Sequence, residues 1–522
     1  MIDTQEIFRA ISVDDEYKNS LNLFETVKRN NNFYHDKQWE GVNAPNLDKP
    51  VFNVLKPAVK YYIGQLVSDD IGVKLEVHER VADIMLSGDM AQGLEDALQK
   101  KLDQVFENVR FSYLTRTFLR NSAVDGDGCL YWFWNADKNT VDCQLVNNTE
   151  VVFGDAASPD VDEQPFIIIK QRLLTSEAKK KAKAMGCADW DSITSDGDDT
   201  DRYNGDKLNG EYTDIALKFW KADKSVHWAM CTKDVIIRDE SDLRINRYPI
   251  VWMPWERNKN SYHGTSPVTG QINNQIFINK VYAMAMEYQK SFAFPKILYD
   301  RTIIPKWSNS VGQAIAVNGN PQGAMFASFA PSGMNNQAIS LVESTVQKTK
   351  DSMGVYDAAL GNVKPDNTSA IIALQRASAQ PLEVQRLDYY QAVEDSVRII
   401  LEFVRHYEPL QKIKVKQMVN IPMSPQEQEL EMVVNLQEFD VDKMHLDVSI
   451  GSAAYWSELM QVQTLDNLMS RGIIPDAITY LEAIPDGYIK NKADLIKAIK
   501  DKQMHMQTMH MSAQTGKIPK TV

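Results

Sequence analysis

Two carboxylates separated by a single glycine are the part of the sequence that most resembles a metal-binding motif. Asp125 and Asp127 alternate with glycines in the segment Asp125–Gly128, and carboxylate oxygens are typical ligands of hard divalent cations. With a distant glutamate, this pair would suit a metal-dependent nucleic-acid-processing enzyme such as a nuclease. We favour a tight turn instead, because the segment lies between a long helical pattern and the strand-like residues Cys129–Trp134.

A second acidic segment, Asp189–Asp206, invites comparison with calcium-binding loops. An EF-hand loop needs glycine at its sixth position and glutamate at its twelfth, and no register of this segment supplies both. We therefore interpret it as a solvated surface loop.

The sequence lacks the motifs of the common enzyme classes. It contains no G-x-x-x-x-G-K-[ST] phosphate-binding loop, no H-E-x-x-H zinc motif and no G-x-S-x-G nucleophile motif. We predict that the protein is not an enzyme and that it holds no cofactor or metal.

The composition narrows the remaining classes of function. Of the 522 residues, 43% are hydrophobic and 24% are charged, as in ordinary globular proteins. Acidic residues outnumber basic ones by 70 to 57, giving a net charge of -13. This argues against a protein that coats nucleic acid, because such proteins neutralise phosphates with lysine and arginine. An acidic surface can still border DNA that has to slide past it.

The cysteines and the N-terminal segment suggest where the protein is made. The four cysteines include no C-x-x-C pair, so we expect reduced thiols. The N-terminal segment contains no apolar run of a signal peptide, and the longest apolar stretches are far shorter than the roughly 18 residues that span a bilayer. We expect a soluble protein that is intracellular where it is made.

The elements that would position these residues alternate between helices and strands, which predicts an α+β fold. Helical periodicity covers residues 14–40 and 82–122. The strand-like segments Cys129–Asn135, Val141–Val146 and Phe166–Leu174 follow, and then a β-meander.

One long helix, predicted for residues 266–290, has an unusual surface. Ser266 followed by Pro267 is a typical helix start. An apolar seam is formed by Phe277, Val281, Met284 and Tyr288, and a polar ridge on the opposite side by Gln271, Gln275 and Asn279. Such a helix could pack beside copies of itself with the ridge facing a lumen. The alternative is a central helix of an ordinary α/β core.

Three features in this order resemble the tailed-bacteriophage portal proteins, or head-to-tail connectors, over nearly the whole chain. The first is NFYHDKQWEG at 32–41 followed by KPVFN at 49–53, although Asp36 stands where the family often has glycine. The second is YHGTSP at 262–267, which is similar to the family's entry into its first stem helix. The third is the order helix, small strand-rich segment, helix, Gly/Pro loop and long kinked helix.

The resemblance implies a portal-like fold that assembles as a ring. Residues 1–264 would form most of the wing, 265–291 the first stem helix, 292–335 the clip, 336–353 the second stem helix, 354–368 the tunnel loop, 369–452 the kinked helix with the remaining wing, and 453–522 a helical crown.

The resemblance also implies a function. Portal proteins form a ring, typically of twelve subunits, at one capsid vertex of the virion, and double-stranded DNA passes through its channel during packaging and ejection. The expected partners are further copies of the chain, the large terminase, the major capsid protein and scaffold, and head-completion, adaptor or tail proteins. A structural scaffold of a non-viral assembly is the remaining alternative.

The resemblance assigns candidate site residues to three places. In the stem, the ridge residues Gln271, Gln275 and Asn279 would line the DNA channel. In the tunnel loop, the candidates for DNA contact are Asn362, Val363, Lys364, Asp366 and Asn367, with an ordinary solvated turn as the alternative. In the clip, the candidates for contact with terminase or adaptor are Arg301, Lys306 and Trp307, with strand pairing between subunits as the alternative.

Overall fold

The structure, a computed structural model, divides into two compact units. The first unit comprises residues 1–66 and 77–444, and the second comprises residues 67–76 and 445–522. The residues that the structure describes are 2–67, 71–76, 80–81, 84–85, 88–197, 210–292, 296–306, 314, 316–320, 326–329, 336–355, 380–419, 426–438, 445–450, 464–471, 480–481, 484, 495–496 and 499.

Helices and strands are both abundant, which confirms the predicted α+β class. The helices are α1 (Thr4–Ser20), α2 (Leu23–Tyr34), α3 (Leu55–Val67), α4 (Gly88–Val109), α5 (Phe111–Asp125), α6 (Thr175–Ala184), α7 (Ile272–Phe292), α8 (Asn336–Ser352) and α9 (Glu383–Tyr407). The strands are β1 (Ile71–Glu76), β2 (Arg80–Val81), β3 (Ile84–Met85), β4 (Asp127–Asn135), β5 (Thr140–Val146), β6 (Val151–Phe153), β7 (Phe166–Leu174), β8 (Tyr212–Ala222), β9 (Ser225–Cys231), β10 (Ile236–Asp242), β11 (Ile250–Pro254), β12 (Lys296–Tyr299), β13 (Phe326–Phe329), β14 (Leu410–Val419), β15 (Gln426–Asn435) and β16 (His445–Ile450).

A three-stranded antiparallel sheet in the order β11-β4-β5 is covered by helices on one face. Alternate residues of a strand point to opposite faces, and Trp132 and Trp134 share the helix-covered face of β4. Trp132 is fully buried near Phe111 of α5 and donates through Nε1 to Ser396 Oγ of α9 at 3.3 Å. Trp134 stacks on Tyr407 of α9. Both helices therefore pack on the same face.

The other face of the three-stranded sheet meets a five-stranded antiparallel sheet in the order β10-β9-β8-β7-β6. Tyr131 of β4 contacts Phe219 of β8, with ring centroids 5.6 Å apart. On the far side of the larger sheet, Ile7 and Ile11 of α1 join Ile168 of β7 in one buried cluster. The body of the first unit therefore has four layers: helices, sheet, sheet and helix.

The helical periodicity predicted over 14–40 and 82–122 is confirmed only in part: each stretch contains two helices, but residues 35–40 are not helical and Ile84–Met85 form a strand. Asn22, with φ of 54°, separates α1 from α2, and Arg110, with φ of 52°, separates α4 from α5. The left-handed conformation of these residues ends a right-handed helix. Helix α1 begins at Thr4, well before the predicted residue 14, because the Asp3 side chain caps it by accepting from Gln5 N at 2.9 Å.

Helix α9 is amphipathic and begins beside a proline. Pro381 lies in the short 3-10 turn Gln380–Leu382 directly before the helix, where its missing N–H costs little. The buried stripe of α9 runs every three or four residues through Tyr389, Val393, Val397, Ile400 and Val404. Leu387, one turn after the helix start, is 57% exposed and lies off this stripe.

Strand pairs complete both units. In the first unit β14 pairs with β15 and packs on α4, and β12 pairs with β13. In the second unit β1 pairs antiparallel with β16, from Ile71 opposite Ile450 to Glu76 opposite His445. Within the described ranges, none of the helices is both long and apolar enough to cross a membrane.

Candidate functional site

The carboxylate of Asp127 lies at the junction between the α5–β4 turn and the segment that leads into α7. It is buried, and its Oδ2 lies 2.7 Å from Nδ1 of the equally buried His263. Its Oδ1 accepts from Gly264 N at 2.6 Å, and Asn148 Nδ2 donates to Oδ2 at 3.2 Å. Both carboxylate oxygens therefore bind donors of the same chain.

The neighbouring Asp125 has a comparable role. It is buried at the end of α5 and accepts a hydrogen bond from Asn31 of α2. Gly126 between the two carboxylates has φ of 102°, a conformation that glycine adopts without strain, so the predicted tight turn is confirmed. In the part of the chain that the structure describes, no group of three or more His, Cys, Asp or Glu side chains is placed to hold a metal ion.

The segment before α7 is fixed tightly against this turn. Ser266 Oγ donates to Ala123 O at 2.7 Å and accepts from Val268 N at 3.1 Å. The predicted helix start at Ser266 is wrong, because the 3-10 turn Thr269–Gln271 follows and α7 begins at Ile272. A Cβ on Gly264 would lie 2.7 Å from Pro254 Cβ and 2.8 Å from Glu256 O. The body of the first unit thus anchors the segment that leads into α7.

Buried ionisable groups extend this anchor to α1. The Tyr262 hydroxyl donates to Asp14 Oδ1 at 2.7 Å, and burial raises the pKa of Tyr262 well above its usual value. Lys18 is fully buried, lies 2.7 Å from Asp14 Oδ2 and donates to Thr149 O and Val151 O. Burial lowers the pKa of Lys18 to about 8, and the nearby Asp14 partly opposes this shift.

Two amides of the polar ridge on α7 are buried inside the subunit. Gln275 is 0% exposed; its Nε2 donates to Phe52 O at 2.8 Å, and its Oε1 accepts from Val54 N at 2.9 Å. Asn279 is 2% exposed, accepts from Phe52 N at 3.2 Å and donates to Gln38 Oε1 at 2.5 Å. We call Gln275, Asn279 and Gln38 the amide clamp.

The amide clamp corrects the prediction that Gln275 and Asn279 face a lumen. Residues 50–54 form neither helix nor strand, so their backbone N–H and C=O groups need other partners when buried. The two amides supply these partners, and their burial leaves no surface for a duplex. Gln271 is different: it is half-buried and donates to Ser352 Oγ of α8 at 2.9 Å. Its channel-lining role stays a prediction.

The apolar seam of α7 is the side that remains accessible. Met284 is 60% exposed, and Phe277, Val281 and Tyr288 are half-buried. Helix α8 packs beside α7, and Val342 and Thr349 on α8 and Met353 directly after it are buried, while Leu341 is 56% exposed. The helix pair therefore presents apolar side chains on its surface.

The other candidate residues are only partly within the described structure. Arg301 and Lys306 are exposed just after β12, and Trp307 lies outside the described residues. The pairing of β12 with β13 is within the chain. All five tunnel-loop candidates, Asn362, Val363, Lys364, Asp366 and Asn367, lie outside the described residues as well.

Sequence reasoning missed the Asp127–His263 pair and the roles of the amide clamp. Asn279 and Gln275 are flanked by Ile272 and Ile278, which are also buried. Amides among apolar neighbours on one helix face are a signal for internal hydrogen bonding that the spacing alone did not reveal.

Comparison with known proteins gives one informative match. No curated protein matches the chain. The family model described as phage P22-like portal protein matches residues 191–515, more than half of the chain, which includes α7, α8, α9 and the strands β8 to β16. The anchored helix with its accessible apolar seam lies within this match, and the chain therefore belongs to the P22-like phage portal protein family.

Proposed function

We propose that the protein assembles into the portal ring at one capsid vertex, and that double-stranded DNA passes through the ring during packaging and ejection. The family match over residues 191–515 carries the proposal. It makes the protein a structural component of a phage particle rather than an enzyme. The ring, its twelve subunits and its partners belong to the proposal.

The surface of α7 and α8 supports assembly from many copies. Exposed apolar patches on a soluble subunit usually mark sites of association. Met284 at 60% and Leu341 at 56% exposure lie on two neighbouring helices whose first end is anchored in the body of the subunit. A neighbouring copy packed on these helices would remove both side chains from water.

The charge of the chain supports a channel that does not hold DNA. A duplex carries one negative charge per about 1.7 Å of its axis. Each subunit carries a net charge of -13, so a ring of identical subunits is strongly acidic overall. DNA in its channel would meet few cations that could bind phosphates, which favours passage over retention.

Channel contacts in this proposal come from Gln271 and the tunnel loop, since Gln275 and Asn279 are buried. Lys364 would be a local cation near the duplex, with Asp366 close to it in sequence. In the clip, Arg301 and Lys306 are exposed and would contact the large terminase and then head-completion or tail proteins.

The described geometry does not favour the nuclease alternative. The carboxylates of Asp125 and Asp127 are buried and already accept hydrogen bonds from Asn31, Asn148 and Gly264. Their removal should weaken folding instead of abolishing a reaction.

Native mass spectrometry with negative-stain imaging tests the proposed function. A dodecamer would have a mass of about 712 kDa, twelve times the 59.3 kDa of one subunit, and images would show a ring with a central hole. Only monomers under every assembly condition would refute the proposal. Replacing Arg301 and Lys306 by glutamate should leave the ring intact and reduce its binding to purified terminase.

A further inference from the structure

A groove with an apolar floor lies between α2, the segment 37–42 and α7. It has a volume of about 470 Å³, and its wall includes Gln38 and Asn279 of the amide clamp. Phe33, Trp39 and Ile276 contribute apolar surface, and Val42 at the edge is 43% exposed. A groove of this kind on a soluble subunit is a typical site for docking of a protein surface.

The groove continues onto the exposed part of α7. Ile276, Lys280 and Met284 are spaced by four residues, so they lie in one row along the helix. Ile276 and Lys280 line the groove, and Met284 is 60% exposed beyond it. The groove and the row therefore form one continuous surface, which we call the α2–α7 surface.

The rim of this surface is cationic in an acidic protein. Four basic residues, Lys28, Arg29, Lys37 and Lys280, line the groove, against the two carboxylates of Glu25 and Glu40. The whole subunit carries a net charge of -13. A positive rim thus complements the average surface of another copy of the same chain.

The nearby His35 also lies close to positively charged side chains. The pKa of His35 is lowered first by burial and then by the positive charges of Arg120, Lys56 and Lys37. Asp36, which forms an ion pair with Lys56, opposes this shift.

We propose that the α2–α7 surface binds a neighbouring copy of this chain, through an apolar segment of that copy that carries acidic side chains at its edges. The proposal rests on the proposed ring, because a ring of identical subunits needs two unlike patches on each subunit. The α2–α7 surface is one of the two. DNA is the less suitable occupant, since the floor of the groove is apolar and the phosphate backbone of a duplex offers no apolar segment to fill it.

Charge reversal on the rim tests the proposal. Lys28→Glu with Arg29→Glu changes the charge of the groove by four units, and both positions lie on α2 without a described ion pair across the groove. The matched control is Lys180→Glu with Lys233→Glu, two exposed lysines on α6 and before β10. The control has the same change in net charge but leaves the α2–α7 surface intact.

The measurement is the fraction of ring as a function of subunit concentration, by native mass spectrometry. We expect the groove variant to need a concentration at least about tenfold higher than wild type for half-assembly, and the control to stay within about twofold. Thermal unfolding of the isolated subunits, followed by circular dichroism, should be alike for all three proteins. Met284→Asp should act like the groove variant and provides a second perturbation of the same surface.

The possible results distinguish a failure of this inference from a failure of the proposed function. Rings from wild type and equally stable rings from the groove variant and Met284→Asp would overturn the inference and leave the portal function standing. A wild-type chain that never forms rings would overturn both. Loss of scaffold or capsid binding by the groove variant, with its ring unchanged, would assign the surface to that other partner and also refute the inference.

Discussion

Replacement of Gln275 by leucine separates an internal role of this side chain from a channel-lining role. Leucine has a similar size but cannot form hydrogen bonds, so Gln275→Leu would leave Phe52 O and Val54 N without their present partners, which lie 2.8 and 2.9 Å away. An unpaired buried polar group costs about 1–3 kcal/mol. Phe52 is 44% exposed and both hydrogen bonds are only partly buried, so for the two backbone groups together we expect a loss of about 1–3 kcal/mol in the free energy of unfolding.

Gln271→Leu is the matched control, one helical turn away on the same ridge. Gln271 is half-buried; it donates to the exposed Ser352 Oγ and accepts from Asn274 Nδ2, and water can replace it at both partners. We expect this variant to lose no more than about 1 kcal/mol.

Hydrogen exchange with urea unfolding measures the difference between the two variants. In Gln275→Leu the amide of Val54 should exchange faster and the unfolding midpoint should fall, whereas Gln271→Leu should resemble wild type in both. If both variants were equally stable and Gln275→Leu changed only the passage of DNA, the internal role of the amide clamp would be refuted. The prediction that Gln275 lines the channel would then stand again.

Further predictions concern the anchor and the tunnel loop. Lys18→Met leaves a buried carboxylate without its cation and should lower the free energy of unfolding by about 3–5 kcal/mol. The control Lys138→Met removes an exposed ion pair and should lower it by less than about 1 kcal/mol. Urea titrations of both variants measure the difference. Because the pKa of Lys18 is lowered from 10.5 to about 8, the unfolded chain binds more protons between these values. The stability of wild type relative to Lys18→Met should therefore rise as the pH increases from about 8 to about 10.5, and a pH-independent difference would contradict the buried position. Gly264→Ala introduces a Cβ within 2.9 Å of two backbone oxygens and should lower stability by about 1–3 kcal/mol. Gly270→Ala, which has open space around it, should leave stability unchanged. Thermal unfolding of the two variants tests this difference. Lys364→Glu should leave ring mass unchanged and reduce the yield of DNA-filled particles in a complementation assay, and an unchanged yield would remove Lys364 from the channel.

Most helices and strands could be predicted from the sequence, because periodicity and residue propensity are signals that lie within a few neighbouring residues. The strands β4, β5 and β7 have dense β-branched and aromatic residues and lie within one or two residues of their predicted bounds. Strand β15 was missed, because its sequence QEQELEMVVN is mostly charged or polar at the start and becomes a strand by pairing with β14. The breaks at Asn22 and Arg110 were not located either, since a single left-handed residue has a weak sequence signal outside glycine.

The family could also be predicted from ordered motifs, but the orientation of α7 could not. Helical periodicity assigned Gln275 and Asn279 to one face and Met284 to the other, and that grouping is correct. Only the tertiary structure decided which face turns inward, because residues 50–54, more than two hundred positions away, bring unpaired backbone groups to the polar side. The sequence thus determined which residues share a face of the helix, and long-range hydrogen bonding decided what each face meets.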